Sequence, residues 1–284
     1  MTYRKATVYT GIQHMAVGPF RVKQPMPADG FQGLSPFVLL HHAGPDIHAP
    51  GAIKARLSPH PHRGFEPVTF LFQGRIHHKD STGSEGFLEA GDVQWMTAGS
   101  GIIHSEGPSA DFAASGGNME LIQLWVNLPR EYKMTAPKYQ DIKKDSMPLI
   151  ESNGFSMRLV AGDFDDRKGP ASTFTPIVAI TASFEAGAKA EFDLPVSHNV
   201  MIYVLEGTVS TNGSKIDALQ TAVFDHSSSK IALEANAPGK LLLLAGEPIN
   251  EPVVSYGPFV MNYPGDIKQA ILDYETGKMG TLEN

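Results

Sequence analysis

The sequence predicts an all-β protein built from two related domains, and three observations carry that expectation. Turn-forming residues are abundant and evenly spread, with 28 glycines and 21 prolines in 284 residues, so a turn signal returns about every ten residues. Between those signals apolar and polar residues alternate in short runs, the period-two pattern of half-buried strands. One run also recurs: Tyr203-Val-Leu-Glu-Gly-Thr-Val209 lines up with Phe70-Leu-Phe-Gln-Gly-Arg-Ile76, an offset of 133 residues.

The elements follow in order. Thr7 to Val22 reads as opening strands around a Gly18-Pro19 turn, and Pro36-Phe-Val-Leu-Leu40 as a buried strand. His41 and His42 are expected as polar residues at its exit. Ser58-Pro-His-Pro-His62 is extended, because Pro61 holds the residue before it out of the helical region. Gly64 marks an irregularity, after which Val68, Phe70 and Phe72 alternate with Thr69, Leu71 and Gln73. Counted straight through from His62, the even-numbered side faces the interior. Arg75 to His78 begins the next strand, and Lys79-Asp-Ser-Thr-Gly83 is a turn by composition, so His77 and His78 are expected in solvent. Val93 to Thr97 and Met119 to Leu128 are further strands, and Arg130 to Asp145 is a polar connection. Ile267, Ala270, Ile271 and Tyr274 have helical spacing, with Asp266 as N-cap and Gly277 just past the end; this helix needs a β domain to dock on. The expected domains are 1–130, 131–264 and a helical tail, 265–284.

Composition narrows the function classes. A hydrophobic content of 42% suits a folded globular chain long enough to bury a sizeable core. The formal net charge is -7 and no Lys/Arg run occurs, which argues against direct nucleic-acid binding. With no cysteine, disulfides and thiolate metal sites are excluded. The N-terminus lacks the apolar core of a signal peptide, and the longest aliphatic run, Leu241 to Ala245, is too short to span a bilayer. A cytoplasmic, monomeric protein off the membrane is expected, with a nuclear location open for a eukaryotic source.

Chemistry concentrates in two pairs. His60 and His62 flank Pro61, and His104 and Glu106 flank Ser105. In extended backbone, residues i and i+2 share a side, so two such strands can aim three imidazoles and one carboxylate at a common point. Three nitrogens and one oxygen suit Fe(II), Mn, Co, Ni, Cu or Zn and match Ca or Mg poorly. Four ligands either close a tetrahedral structural site or leave two positions on an octahedral metal. At the 133-residue offset His60 and His62 fall on Asp193 and Pro195, and no ligand-type residue answers His104 and Glu106, so the second domain keeps the fold without the site. His198 and His226 are left to local structure.

His60-Pro-His-Arg-Gly-Phe-Glu66, Gly91-Asp-Val-Gln-Trp-Met-Thr-Ala-Gly99 and Gly101-Ile-Ile-His-Ser-Glu106 together resemble the pirin family of the cupin superfamily. Gln123-Leu-Trp-Val-Asn-Leu-Pro129, Gly246-Glu-Pro-Ile-Asn-Glu-Pro252 and Tyr256-Gly-Pro-Phe-Val-Met-Asn262 extend the similarity over nearly the whole chain. The resemblance implies two cupin barrels packed face to face, with one metal, Fe(II) foremost, held in the N-terminal barrel by His60, His62, His104 and Glu106. The glutamate usual in the first cupin motif falls on Pro67 here, which leaves Glu66 as a second-ranked ligand. Two activities are implied: quercetin 2,3-dioxygenase chemistry on a flavonol-like substrate, with Glu106 as ligand and general base, or non-enzymatic iron and redox sensing through protein partners. Phe70, Phe72, Trp95 and Met96 are candidates for the pocket wall, though each taken singly reads better as plain barrel core.

Overall fold

The computed structural model describes residues 2–52 and 56–283. The first twelve strands are β1 (Ala6–Tyr9), β2 (Gln13–Val17), β3 (Phe20–Met26), β4 (Phe37–His48), β5 (His60–His62), β6 (Phe65–Gln73), β7 (Arg75–Asp80), β8 (Glu85–Glu89), β9 (Val93–Thr97), β10 (Ile102–Pro108), β11 (Gly117–Asn127) and β12 (Lys138–Ile142). The helices are α1 (Ala110–Ser115) and α2 (Pro264–Glu275). The expected all-β class, with a short C-terminal helix, is borne out. No helix among the described residues is long and apolar enough to cross a membrane.

The chain divides into two units, neither a continuous segment. One comprises 14–24, 37–144 and 249–284; the other comprises 1–13, 25–36 and 145–248. The positions 130/131 and 264/265, expected as boundaries, both lie inside the first of these. Strand β12 lies in the stretch expected as a connection and pairs with β9.

The second unit is built on a nine-stranded sheet, to which β1 adds itself antiparallel to Thr221–Phe224. The repeated run sits on its strand Asn199–Thr211, and the glycine of the repeat is left-handed in both copies, φ +95° at Gly74 and +81° at Gly207. Its core is continuous and apolar, with Phe155, Leu159, Phe192, Val204, Leu241 and Leu243 among its members. His198 and His226 have local roles there: the His198 carbonyl accepts from Arg4, and His226 bonds the Val196 carbonyl.

The first unit has a seven-stranded sheet in the order β12-β9-β6-β11-β4-β3-β2 and a four-stranded sheet in the order β5-β10-β7-β8. Register fixes which side chains share a face. Val68 lies opposite Leu124 and Trp95, Phe70 opposite Ile122 and Val93, and Thr69 opposite Gln123 and Gln94. The first set is fully buried on one face. The second set lines a cavity on the other. The side of β6 that shares the cavity with His62 is therefore odd-numbered, where the expectation put the even-numbered side with His62.

Gly64 causes the inversion. His62 faces the cavity, and its ring meets that of Phe65, three residues on, at 5.1 Å between centroids. Strand alternation would put those two on opposite sides. Gly64, at φ +86°, supplies the extra turn of the backbone, a conformation that costs a residue with a Cβ about 1–2 kcal/mol. A Cβ there would also stand 2.1 Å from the Val260 carbonyl oxygen.

Helix α2 packs Ile267 and Ala270 against Ile103, Phe259, Met261 and Met279 of the same unit, the docking its spacing requires. Its N-cap is Tyr263 rather than Asp266. Asp266 sits one turn in and accepts the Tyr263 N–H at 3.0 Å. Helix α1 was not anticipated; its six residues follow the N-cap Ser109, whose hydroxyl accepts from Phe112 N–H.

Candidate metal centre

Strands β5 and β10 pair antiparallel, with His60 opposite His104 and His62 opposite Ile102. That register brings three imidazoles together: ring centroids lie 4.3 Å apart for His60–His104 and 4.8 Å apart for both His60–His62 and His62–His104. One ring nitrogen from each lies within 4.8 Å of the others. A second group within the same limit joins His104 and Glu106 to His78. Glu106 thus shares His104 with the three-histidine group but is not itself a member of it. Its Oε2 lies 3.0 Å from His104 Nδ1.

Hydrogen bonds select the tautomers. His60 Nδ1 lies 2.9 Å from the Ser58 carbonyl oxygen and His62 Nδ1 lies 3.3 Å from that of Pro258. A carbonyl only accepts, so each Nδ1 carries the proton and each neutral ring has a bare Nε2. His104 Nδ1 lies 2.8 Å from His78 Nε2, while its own Nε2 is buried with no hydrogen-bond partner. An orphaned buried nitrogen beside two further imidazoles fits a metal ion, and the three-nitrogen, one-oxygen donor set suits a divalent transition metal. Burial depresses the pKa of both His62 and His104 well below the ordinary value, which keeps them neutral and able to ligate. Burial raises that of Glu106.

Two buried groups, Lys133 and Arg63, and the half-buried Arg56 secure this arrangement. Lys133, 1% exposed, donates to the Gly64 carbonyl at 2.8 Å, to Asn127 Oδ1 at 2.7 Å and to the Val260 carbonyl at 2.9 Å. It thereby ties the backbone just after His62 to the strand that follows Pro258. Arg63 reaches Asp273 of α2 at 2.8 Å and the Ser100 carbonyl at 2.7 Å, joining the segment that follows His62 to the turn that precedes His104. Arg56 donates to the Ser105 carbonyl at 3.1 Å.

The cavity next to the cluster has a volume of about 300 Å³. His60, His62 and Glu106 line one part of it, and Trp125, Leu121, Leu57 and Val22 give it an apolar wall. Thr69, Gln94, Gln123 and His41 add polar groups. Phe70, Phe72, Trp95 and Met96 do not line it. Phe70 and Trp95 lie on the opposite face for the reason given at Gly64, and Met96 packs instead against Ala98, Ile102 and Tyr139. Trp125 holds the wall position, with ring centroids 5.4 Å from His62 and 4.3 Å from Phe65.

Other sequence candidates are placed elsewhere. Glu66 points away from the histidines and accepts from Thr97 Oγ1 at 2.7 Å. At 1% exposure its pKa is pushed up to about 7 by burial. His41 and His42 lie within β4, which runs on to His48, and not at a strand exit. His41 faces the cavity and bonds Gln24 Oε1 at 2.7 Å; His42 is buried 3.3 Å from Glu120. His78 is the functional candidate that sequence reasoning missed. It is 2% exposed, lies opposite Glu106 in the β7–β10 register, and has its pKa lowered to about 4 by burial. The signal was the alternation of Ile76, His78 and Asp80, outweighed by the turn composition that follows.

Comparison with known proteins shows the family and the fold. The Pirin family model matches residues 19–126, and the model for the pirin C-terminal cupin domain matches residues 179–280. A Pseudomonas aeruginosa protein provisionally named a quercetin 2,3-dioxygenase is 42% identical over 249 residues, 87% of each chain. Pirin-1 of Arabidopsis thaliana is 41% identical over 253 residues, 87% of this chain and 84% of that one. The crystal structure titled quercetin 2,3-dioxygenase from Acinetobacter baumannii superposes with a TM-score of 0.93 at 39% identity, covering 99% of this chain and 100% of that one. The chain belongs to the pirin family and has its two-cupin fold.

Proposed function

We propose that this pirin is a mononuclear metal enzyme that opens a flavonol ring with dioxygen, a quercetin 2,3-dioxygenase in type. The observation that carries the reading is the apolar cavity with His60, His62 and Glu106 on its lining beside the bare Nε2 of His104. Its volume, about 300 Å³, stands at the small end of ligand pockets, roughly 300–1,000 Å³, as suits one compact aromatic molecule. The relatives' names point to the same substrate class.

His60, His62, His104 and Glu106 are the residues that would hold the metal, with Fe(II) first and Zn, Mn, Ni, Co or Cu as the other candidates. When bound, such an ion supplies Lewis acidity toward an aromatic hydroxyl and, for a redox-active metal, one-electron chemistry toward dioxygen. The protein's own groups do the rest. Glu106, with its proton affinity raised by burial, takes the proton of the flavonol hydroxyl. Acting as ligand lowers that basicity, so proton uptake and ligation compete at this carboxylate. Trp125 and Leu121 hold the ring system and exclude water, and Gln123 and Thr69, which bond each other at 3.2 Å, offer polar contacts to ring hydroxyls. Two oxygen atoms enter the product and carbon monoxide leaves.

The test is direct. Protein loaded separately with Fe, Mn, Co, Ni or Cu is mixed with flavonol in air, and flavonol absorbance and carbon monoxide are followed. Turnover with at least one metal is expected. No turnover from protein shown to hold one metal per chain would refute the enzymatic reading and favour metal-dependent partner binding, read by pull-downs in both oxidation states.

A further inference from the structure

His104 Nδ1 has two neighbours able to accept its proton, and they have different consequences. Glu106 Oε2 lies 3.0 Å away and His78 Nε2 lies 2.8 Å away. A carboxylate engaged by that N–H is held on the far side of the imidazole from Nε2, away from the position a metal shared with His60 and His62 would take. One N–H makes one good hydrogen bond, so whichever group accepts it decides where the other stands. His78 is held in place to accept. It lies directly opposite Glu106 on β7, the Tyr139 ring packs against its own at 4.8 Å between centroids, and the next inward position, Asp80, is buried with one oxygen tied to Thr82 and Ser84. His78 itself is grouped with His104 and Glu106 but not with His60 and His62.

We propose that His78 is a positioning residue for the metal centre: it takes the His104 Nδ1–H, which fixes His104 with Nε2 bare and releases Glu106 to serve as the fourth ligand. This rests on the metal reading above. It gives His104 the outer hydrogen-bond partner that metal-bound histidines require, supplied by a second imidazole where His60 and His62 use backbone carbonyls.

The experiment is a Co(II) titration of the full chain, recording stoichiometry, affinity and the visible spectrum, for wild type, His78→Leu and His78→Gln. Gln can bring an acceptor to the place of Nε2, and Leu cannot; His78→Asn, too short to reach, stands in should the Leu variant fail to fold. The expected result is one Co(II) per chain throughout, with affinity down about 10- to 100-fold in Leu or Asn and restored to within about threefold by Gln, with the wild-type spectrum. Wild-type affinity in the Leu or Asn variant would overturn the proposal. So would loss in Gln equal to that in Leu with an altered spectrum, which would make His78 a ligand. Wild type that takes up no metal defeats the metal reading itself, a distinct outcome.

Discussion

Replacing Lys133 by methionine is the sharpest probe of how the turn after His62 is held. The side chain is almost completely buried and its ammonium satisfies three acceptors, the Gly64 and Val260 carbonyls and Asn127 Oδ1. Hydrogen bonds to a charged group contribute about 1.5–3 kcal/mol each, about 6 kcal/mol for the three. Against that stands the cost of burying the charge. Burial lowers the pKa from 10.5 to about 8, which corresponds to about 3 kcal/mol. The difference, about 3 kcal/mol, is the expected loss of stability in Lys133→Met at pH 7, read from urea unfolding.

Linkage gives this prediction a second arm. Between the folded and unfolded pKa values the unfolded state binds more protons at this site, so wild-type stability rises with pH there and the variant lacks that rise. The gap between the two proteins should widen by about 2 kcal/mol from pH 7 to pH 9.5. A gap that stays constant or narrows would show that Lys133 is not a buried ammonium clasping this turn. Metal affinity should fall in the same variant, because Gly64 follows His62 by two residues.

Three further outcomes follow from the same geometry. Gly64→Ala should lose at least about 2 kcal/mol and bind metal more weakly, since a Cβ meets the Val260 carbonyl and the left-handed backbone that inverts the strand is disfavoured; thermal melts and a metal titration check both. The native carboxyl of Glu66 has its pKa at about 7 against 4.5 when unfolded, so its contribution is fully present below pH 4.5 and is lost as pH rises through 7; Glu66→Gln should therefore gain on wild type across that window, by up to about 3 kcal/mol, in urea unfolding at stepped pH. Trp125→Ala should raise KM for a flavonol about tenfold or more, whereas Trp95→Phe, on the opposite face of the sheet, should cost stability and leave KM within about twofold in steady-state assays.

The convergence of the three histidines and the repeat were legible because they rest on local rules. Alternation along a strand put His60 with His62 and His104 with Glu106, and the same glycine recurs in both copies of the repeat. The pocket wall was not legible, because counting by twos assumes an unbroken strand. Gly64 was visible as an irregularity, but whether it adds zero or one residue of phase depends on its φ, which the tertiary fit against Val260 sets. His78 was misread for a related reason: its neighbours Lys79 to Gly83 form a polar turn, while its own burial comes from pairing with β10, 28 residues further on at Glu106. Likewise nothing in Ala6–Tyr9 tells that this strand pairs with Thr221–Phe224. Such errors arise wherever a long-range partner decides the environment of a short segment.

X-ray absorption spectroscopy of the metal-loaded protein, set beside the Glu106→Gln and His104→Ala variants, tests the central claim most directly. The account predicts one metal per chain with three imidazoles and one carboxylate oxygen in its coordination shell. It also predicts loss of one imidazole in His104→Ala and a changed oxygen shell in Glu106→Gln. A wild-type shell with fewer than three imidazoles, or a spectrum that neither substitution alters, would contradict it.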